Sequence, residues 1–233
     1  MARRQPAGVF FELPEALPRG QHGLTREQVK AVQRERLLRS FTEQLADVGY
    51  AQVKVADVCE RAGVSHATFY DLFGNKEECV CAAYERYIDV VTRTAAAKGV
   101  NESPSWRAFI EISLDAYFDV LVADPYIGRG FHVDMHAIGG EAGRRQAAAL
   151  RAFAIGRMVN ERRLRERDEL LLERPFSVHL GTVQVQRALA REALERAKRP
   201  DFAPLRNELL DWFVSSWYGP AEPAGRVSPP ASN

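Results

Sequence analysis

Val55-Ala-Asp-Val-Cys-Glu-Arg-Ala-Gly63-Val-Ser65-His-Ala-Thr-Phe-Tyr-Asp-Leu-Phe73 holds two short helical periods broken by a glycine. Val55, Val58, Cys59 and Ala62 recur at steps of three and four, so 55–62 is expected to be a helix with one inward face. Gly63 supplies the left-handed backbone that ends a helix, Val64 is an apolar plug, and Ser65 is a good N-cap. A second short helix is expected over 66–73, with Phe69 and Phe73 facing inward. Two short helices joined by a glycine-containing turn and packed on a third are the parts of a helix-turn-helix, whose second helix enters the DNA major groove. Short helix pairs also arise incidentally in all-α domains, so the flanking chain has to agree.

It does. Upstream, Thr25 with Gln28 three residues on forms a capping box, and Val29, Val32, Leu38, Phe41, Leu45 and Val48 keep a helical period up to Gly49. Downstream, a long helix is expected from Lys76 to about Ala97, with Val80, Tyr84, Tyr87, Ile88 and Val91 as its stripe. The segment 105–123 is apolar nearly all round and is expected to be central and buried. Asp124-Pro125 opens a short helix fading toward Gly139 and Gly140. Further helices are expected over 141–166, 175–198 and 204–218. Strand-like alternation bounded by hairpin turns is not found. The expected fold is all-α with about nine helices: an N-terminal extension at 1–23, a helix-turn-helix domain at 24–75, a helical effector-binding and dimerisation domain at 76–218, and a Pro-rich tail at 219–233.

Gly49-Tyr50, the 55–65 stretch, Thr68-Phe-Tyr-Asp-Leu-Phe73 and Asn75-Lys-Glu77 together resemble the DNA-binding domain of the tetracycline-repressor (TetR) family, with ungapped spacing from Gly49 to Glu77. The resemblance covers the first third of the chain; beyond it only helix number and order are alike. It implies a homodimeric DNA-binding transcription regulator, a repressor released from a palindromic double-stranded operator by a small apolar or aromatic effector. It also implies that Thr68, Tyr70 and Lys76 hold phosphates, while His66 and Ala67, following the Ser65 cap, face base edges, a division in which phosphate contacts fix register and base contacts specify. Lys54 stands where the family usually has a capping threonine; it cannot cap but can meet a phosphate. Leu72 stands where the family often has a histidine, which puts a contact from that position in doubt.

Tyr84, Tyr87, Trp106, Phe109, Tyr117, Phe118, Phe131, Phe153 and Phe176, with His132 and His179 as polar partners, are the candidate lining of an effector pocket. The competing assignment for each is ordinary core. Val178, Val185, Leu189, Leu209, Leu210, Phe213, Val214 and Trp217, on the helices at 175–198 and 204–218, are expected to form the dimer interface.

The remaining features set bounds. Lys and Arg number 32 against 31 Asp and Glu, so any nucleic-acid surface must be local. Three cysteines, Cys59, Cys79 and Cys81, argue for a reducing, cytoplasmic setting rather than a disulfide framework. Pro6 and Gly8 interrupt the segment after Arg3-Arg4, so no export signal is expected. Charges within 110–123 rule out a span of the ~20 apolar residues that a bilayer requires, so no membrane partner is expected. His132, Asp134, His136 and Glu141 have ligand chemistry, but helical spacing turns Asp134 away, and no metal, cofactor or catalytic residue is expected. The 161–169 charge run is expected to be a solvated face. The competing function classes are a metal- or cofactor-using helical enzyme and a ligand-independent DNA-binding protein.

Overall fold

A computed structural model describes residues 10–11, 25–135 and 138–218, among which nine α-helices and no strand are found. They are α1 (Arg26–Val48), α2 (Val55–Ala62), α3 (His66–Phe73), α4 (Lys76–Ala97), α5 (Trp106–Ala123), α6 (Pro125–Arg129), α7 (Gly140–Arg165), α8 (Phe176–Arg196) and α9 (Ala203–Ser215). A single π-helical turn, Gly130–Asp134, continues α6. No helix among the described residues is long and apolar enough to cross a membrane.

Local chemistry sets the helix ends. Thr25 Oγ1 accepts the Gln28 N–H at 3.2 Å while the Gln28 side chain accepts the Thr25 N–H at 2.8 Å, the expected capping box of α1. Gly63 closes α2 in the left-handed region (φ 65°, ψ 38°), and Ser65 Oγ caps α3 by accepting the Thr68 N–H at 3.1 Å. Lys54 gives α2 no side-chain cap. Asn75 Oδ1 caps α4 through the Glu78 N–H at 2.9 Å.

Burial gathers into two cores. In the first, Leu38, Phe41 and Leu45 of α1 pack with Val58, Phe69 and Phe73 of the short helices, Val80, Tyr84 and Tyr87 of α4, and Phe131. In the second, Trp106, Ile110 and Leu114 of α5 pack with Leu194, Phe202, Leu209, Phe213 and Trp217. Helix α5 lies between α4 and α9, as its nearly continuous apolar surface demands.

The two halves are tied by polar contacts. Arg86 forks onto Glu35 with both N···O distances at 2.8 Å, joining α4 to α1. Tyr126 of α6 donates to the Asp47 carboxylate at the C-terminal end of α1. Glu77 Oε1 accepts the N–H groups of Glu141 at 2.6 Å and Ala142 at 3.3 Å, capping α7 from the first turn of α4. Gly140 is required there: its φ is +63°, and a Cβ would fall 2.5 Å from Glu77 Oε1.

Three expectations change. Phe10 and Phe11, placed in a structureless extension, are buried; the Phe10 ring stacks on Tyr87 with centroids 6.1 Å apart, and its carbonyl accepts from Arg86 at 3.3 Å. The rest of that extension and the 219–233 tail lie outside the described residues, as does His136. The apolar face of α9 is internal: Leu209, Leu210, Phe213 and Trp217 are buried against α5, so they offer no dimer surface. Val185, Leu189 and Val214 are half-buried on the same core, leaving Val178 exposed. Finally, Glu161 in the supposed solvated run is 2% exposed, because it accepts from Trp217 Nε1 at 2.6 Å and lies 2.9 Å from His179 Nε2.

Phe213→Ala should therefore lower unfolding free energy by ~3–5 kcal/mol, the cost of truncating a buried aromatic, in urea titrations. Trp212→Ala, at a ring 47% exposed, should cost under about 1 kcal/mol in the same measurement.

Candidate nucleic-acid interface and internal cavity

Helix α3 buries Phe69 and Phe73 and leaves His66, Ala67 and Tyr70 exposed at steps of three and four on its opposite face. Tyr70 is 53% exposed and is braced edge-on against Phe69, with centroids 5.4 Å apart. Thr68 is half-buried, and its hydroxyl sits 2.9 Å from Ser65 Oγ, so Ser65 serves chiefly as the cap. Lys54 is exposed at the start of α2. Lys76 is half-buried, with its ammonium 4.3 Å over the Tyr50 ring, and burial lowers its pKa.

This face is held rigidly. Ser40 Oγ of α1 donates to the Val58 carbonyl at 2.9 Å, and Arg61 of α2 reaches Asp47 at 3.3 Å and Glu43 at 3.6 Å. The short helices thus ride on α1, and α1 is fixed to α4 through Glu35 and Arg86.

A cavity of about 380 Å³ lies among α4, α5, α7 and α8. It brings together five of the sequence candidates: Tyr84, Tyr87, Phe109, Tyr117 and Phe153. The other six lie elsewhere. Trp106 packs between Phe109 and Trp217, Phe118 packs on Phe202, and Phe131 fills space against Tyr87 in the first core. Phe176 lies under the Arg151 guanidinium, and His179 is buried beside Glu161. His132 lines a separate cleft of about 470 Å³ between α7 and α8. The physical reason is volume: large rings fill a core, whereas the cavity walls are set back by Ala95, Ala96, Ala149, Ala152 and Gly156.

Sequence reasoning missed the polar wall. Arg157, Asn160, Gln186 and Arg187 line the cavity. Arg157 donates to Thr182 Oγ1 at 2.7 Å and to Gln186 Oε1 at 2.6 Å, and its guanidinium lies 5.2 Å from the Phe213 centroid. The signal was present: Ala154, Arg157, Glu161 and Leu164 recur at three, four and three, which puts two charges on a buried stripe.

The tyrosine hydroxyls differ. Tyr117 Oη lies 2.6 Å from His132 Nε2, and His132 Nδ1 lies 2.9 Å from the Gly128 carbonyl, so the ring donates to Gly128 and accepts from Tyr117. The Tyr84 and Tyr87 hydroxyls are buried with no hydrogen-bond partner among the described residues. Burial, with Arg187 nearby, holds His132 neutral, its pKa pressed to about 3. No cluster of three or more His, Cys, Asp or Glu able to hold a metal occurs among the described residues.

Residues 37–83 match the family model of bacterial regulatory proteins, tetR family. The fold is similar to the fatty acid degradation regulator FadR from Bacillus halodurans, with TM-score 0.69 and 15% identity over 77% of this chain and 96% of that one. It is similar to FadR from Bacillus subtilis in complex with stearoyl-CoA, with TM-score 0.64 and 17% identity over 77% and 97% of the two chains. A cysteine-substituted CifR complexed with a 26 bp double-strand operator aligns with TM-score 0.57 and 17% identity over 82% and 98%. At these identities the likeness is one of fold. No curated protein matches the chain in sequence.

The His132 environment predicts a pH dependence. The unfolded imidazole protonates near its ordinary 6.5 and the folded one only near 3, so between these values the unfolded state binds more protons and stability falls as pH falls. His179, pushed down by burial, acts in the same direction. Urea titrations at pH 7.5, 6.0 and 5.0 should show this loss, and His132→Asn should flatten the slope by up to ~1.4 kcal/mol per pH unit.

Proposed function

We propose that this chain, whose residues 37–83 carry the N-terminal domain of the tetR family of bacterial regulatory proteins, is a homodimeric DNA-binding transcription repressor released from its operator by a small ligand in the cavity. The observation that carries the proposal is the exposed His66, Ala67 and Tyr70 face of α3, presented by a short helix pair locked to α1. Operator binding by CifR and stearoyl-CoA binding by FadR, on the same fold, support the two halves of the reading.

His66 and Ala67 face base edges, because the first residues of a recognition helix point into the major groove. Lys54, Thr68, Tyr70 and Lys76 hold phosphates on either side, and Ser65 orients the helix start as its cap. The dimer forms through α7 and α8. There Ile155, Val159 and Val178 are 48%, 57% and 36% exposed, whereas the apolar face of α9 is already covered. A two-fold dimer matches a palindromic operator.

The link between the sites is α4. Lys76 starts it beside the DNA face, and Tyr84, Tyr87, Ile88 and Val91 wall the cavity two to four turns later. At ~1.5 Å per residue the helix is about 33 Å long, so a small tilt at the cavity becomes a shift of ångströms at Lys76. A ligand favouring the tilted state weakens DNA binding by its differential affinity, and DNA weakens ligand binding equally.

Three outcomes follow for the purified protein. Operator affinity, read by fluorescence anisotropy, should fall steeply with salt, and Lys54→Ala should reduce the slope of log affinity against log salt by about 0.9. His66→Ala should relax base preference at one position per half-site, by ~1–3 kcal/mol in a binding-site selection, with random-sequence affinity little changed. The Ile155→Glu, Val159→Glu double variant should sediment as a folded monomer and bind operator at least tenfold more weakly; a stable dimer in that variant would exclude the α7 and α8 interface.

A further inference from the structure

Among the cavity-lining residues there are two formal charges, Arg157 and Arg187, and no Asp, Glu or Lys. Arg157 is 6% exposed, and among the described residues no carboxylate forms an ion pair with it. Its hydrogen-bond partners are the neutral Thr182 hydroxyl and Gln186 carboxamide, with the Phe213 ring on one face. A guanidinium has five N–H donors, so these two bonds leave most of its capacity open. Arg187 likewise donates to a neutral group, the Phe131 carbonyl, at 2.8 Å. Burying a cation without a counter-ion is strongly unfavourable, so a site of this kind is incomplete until an anion enters. Tyr84 and Tyr87, 1% and 2% exposed, line the same cavity, and their hydroxyls are buried with no hydrogen-bond partner among the described residues. The rest of the wall, including Ile88, Val91, Ala95, Phe109 and Phe153, is apolar.

We infer that the effector is an organic acid, an apolar alkyl or aryl body bearing one ionised carboxylate, with the carboxylate paired to Arg157. The inference rests on the reading of this cavity as the effector site and adds the chemical class. A carboxylate matches the planar guanidinium fork, and the low local dielectric strengthens the pair. The volume of about 380 Å³ lies at the small end of the roughly 300–1,000 Å³ common for ligand pockets, which suits a short-chain or single-ring acid. A neutral or cationic ligand would leave the buried guanidinium without its counter-ion.

The test pairs each acid with its alcohol. Octanoate and 3-phenylpropionate are compared with 1-octanol and 3-phenyl-1-propanol at pH 7.5. Binding to the full chain is read by calorimetry, and release of operator DNA by anisotropy. The expected result is that at least one acid binds tenfold or more tightly than its alcohol and releases DNA. Arg157→Met should abolish that preference while keeping alcohol affinity within about twofold, which also certifies that the cavity is intact. Arg157→Lys, which keeps the charge but loses the fork, should retain part of the preference. Alcohols binding and releasing DNA as well as their acids would overturn the acid assignment and leave the effector-site reading standing. Undiminished acid affinity in Arg157→Met would do the same. Failure of both classes to bind would overturn both.

Discussion

The organisation of the molecule depends on α4 being one unbroken rod. Residues 76–97 contain neither glycine nor proline, the usual causes of a kink, so displacement at one end is carried to the other. Its first turn is fixed on three sides: Asn75 caps it, Tyr50 lies under Lys76, and Glu77 holds the start of α7. Its middle belongs to the core beneath the short helix pair, and its Tyr84 and Tyr87 line the cavity. Arg86 adds a lateral strut to α1, on which the recognition helix rides. The candidate DNA face and the cavity are therefore not separate modules joined by a linker; they share a backbone element and part of a core.

The interior of the C-terminal half handles charge in two contrasting ways. Glu161 is buried but accepts from Trp217 Nε1 and the Arg174 amide and lies beside His179, a cluster that ties α7 and α8 to the chain after α9. Arg157, one turn earlier on the same helix, has neutral hydrogen-bond partners among the described residues and lines the cavity. Arg157 is the group to which the proposed organic acid would pair.

Much of the architecture was legible in the sequence because it is written locally. Thr25 and Gln28, Gly63, Ser65 and Asn75 each act within three residues of themselves, and the helices they delimit begin and end as expected to within a residue or two. The exposed face of α3 followed from the same short-range periodicity. What was not legible depends on contacts distant in sequence. Aromatic content pointed to eleven cavity candidates, but whether Trp106 or Tyr117 faces a void is decided by how α5 sits between α4 and α9. The apolar stripe of α9 looks the same whether it meets α5 or a second subunit. Glu161 looked solvated because its neighbours 162 and 166 are, although its spacing from Ala154, Arg157 and Leu164 carried the opposite message.

The three cysteines have a consequence of another kind. Cys59, Cys79 and Cys81 are all buried, in α2 and the first turns of α4, and burial pushes each thiol above its ordinary pKa, Cys79 furthest. A protonated thiol out of solvent is a poor nucleophile toward peroxide, disulfides or electrophiles. The folded chain therefore presents no redox-reactive sulfur from cysteine, although Cys79 and Cys81 lie on α4, which runs from the candidate DNA face to the cavity. Oxidants in the surrounding medium would find no ready thiolate at these three positions.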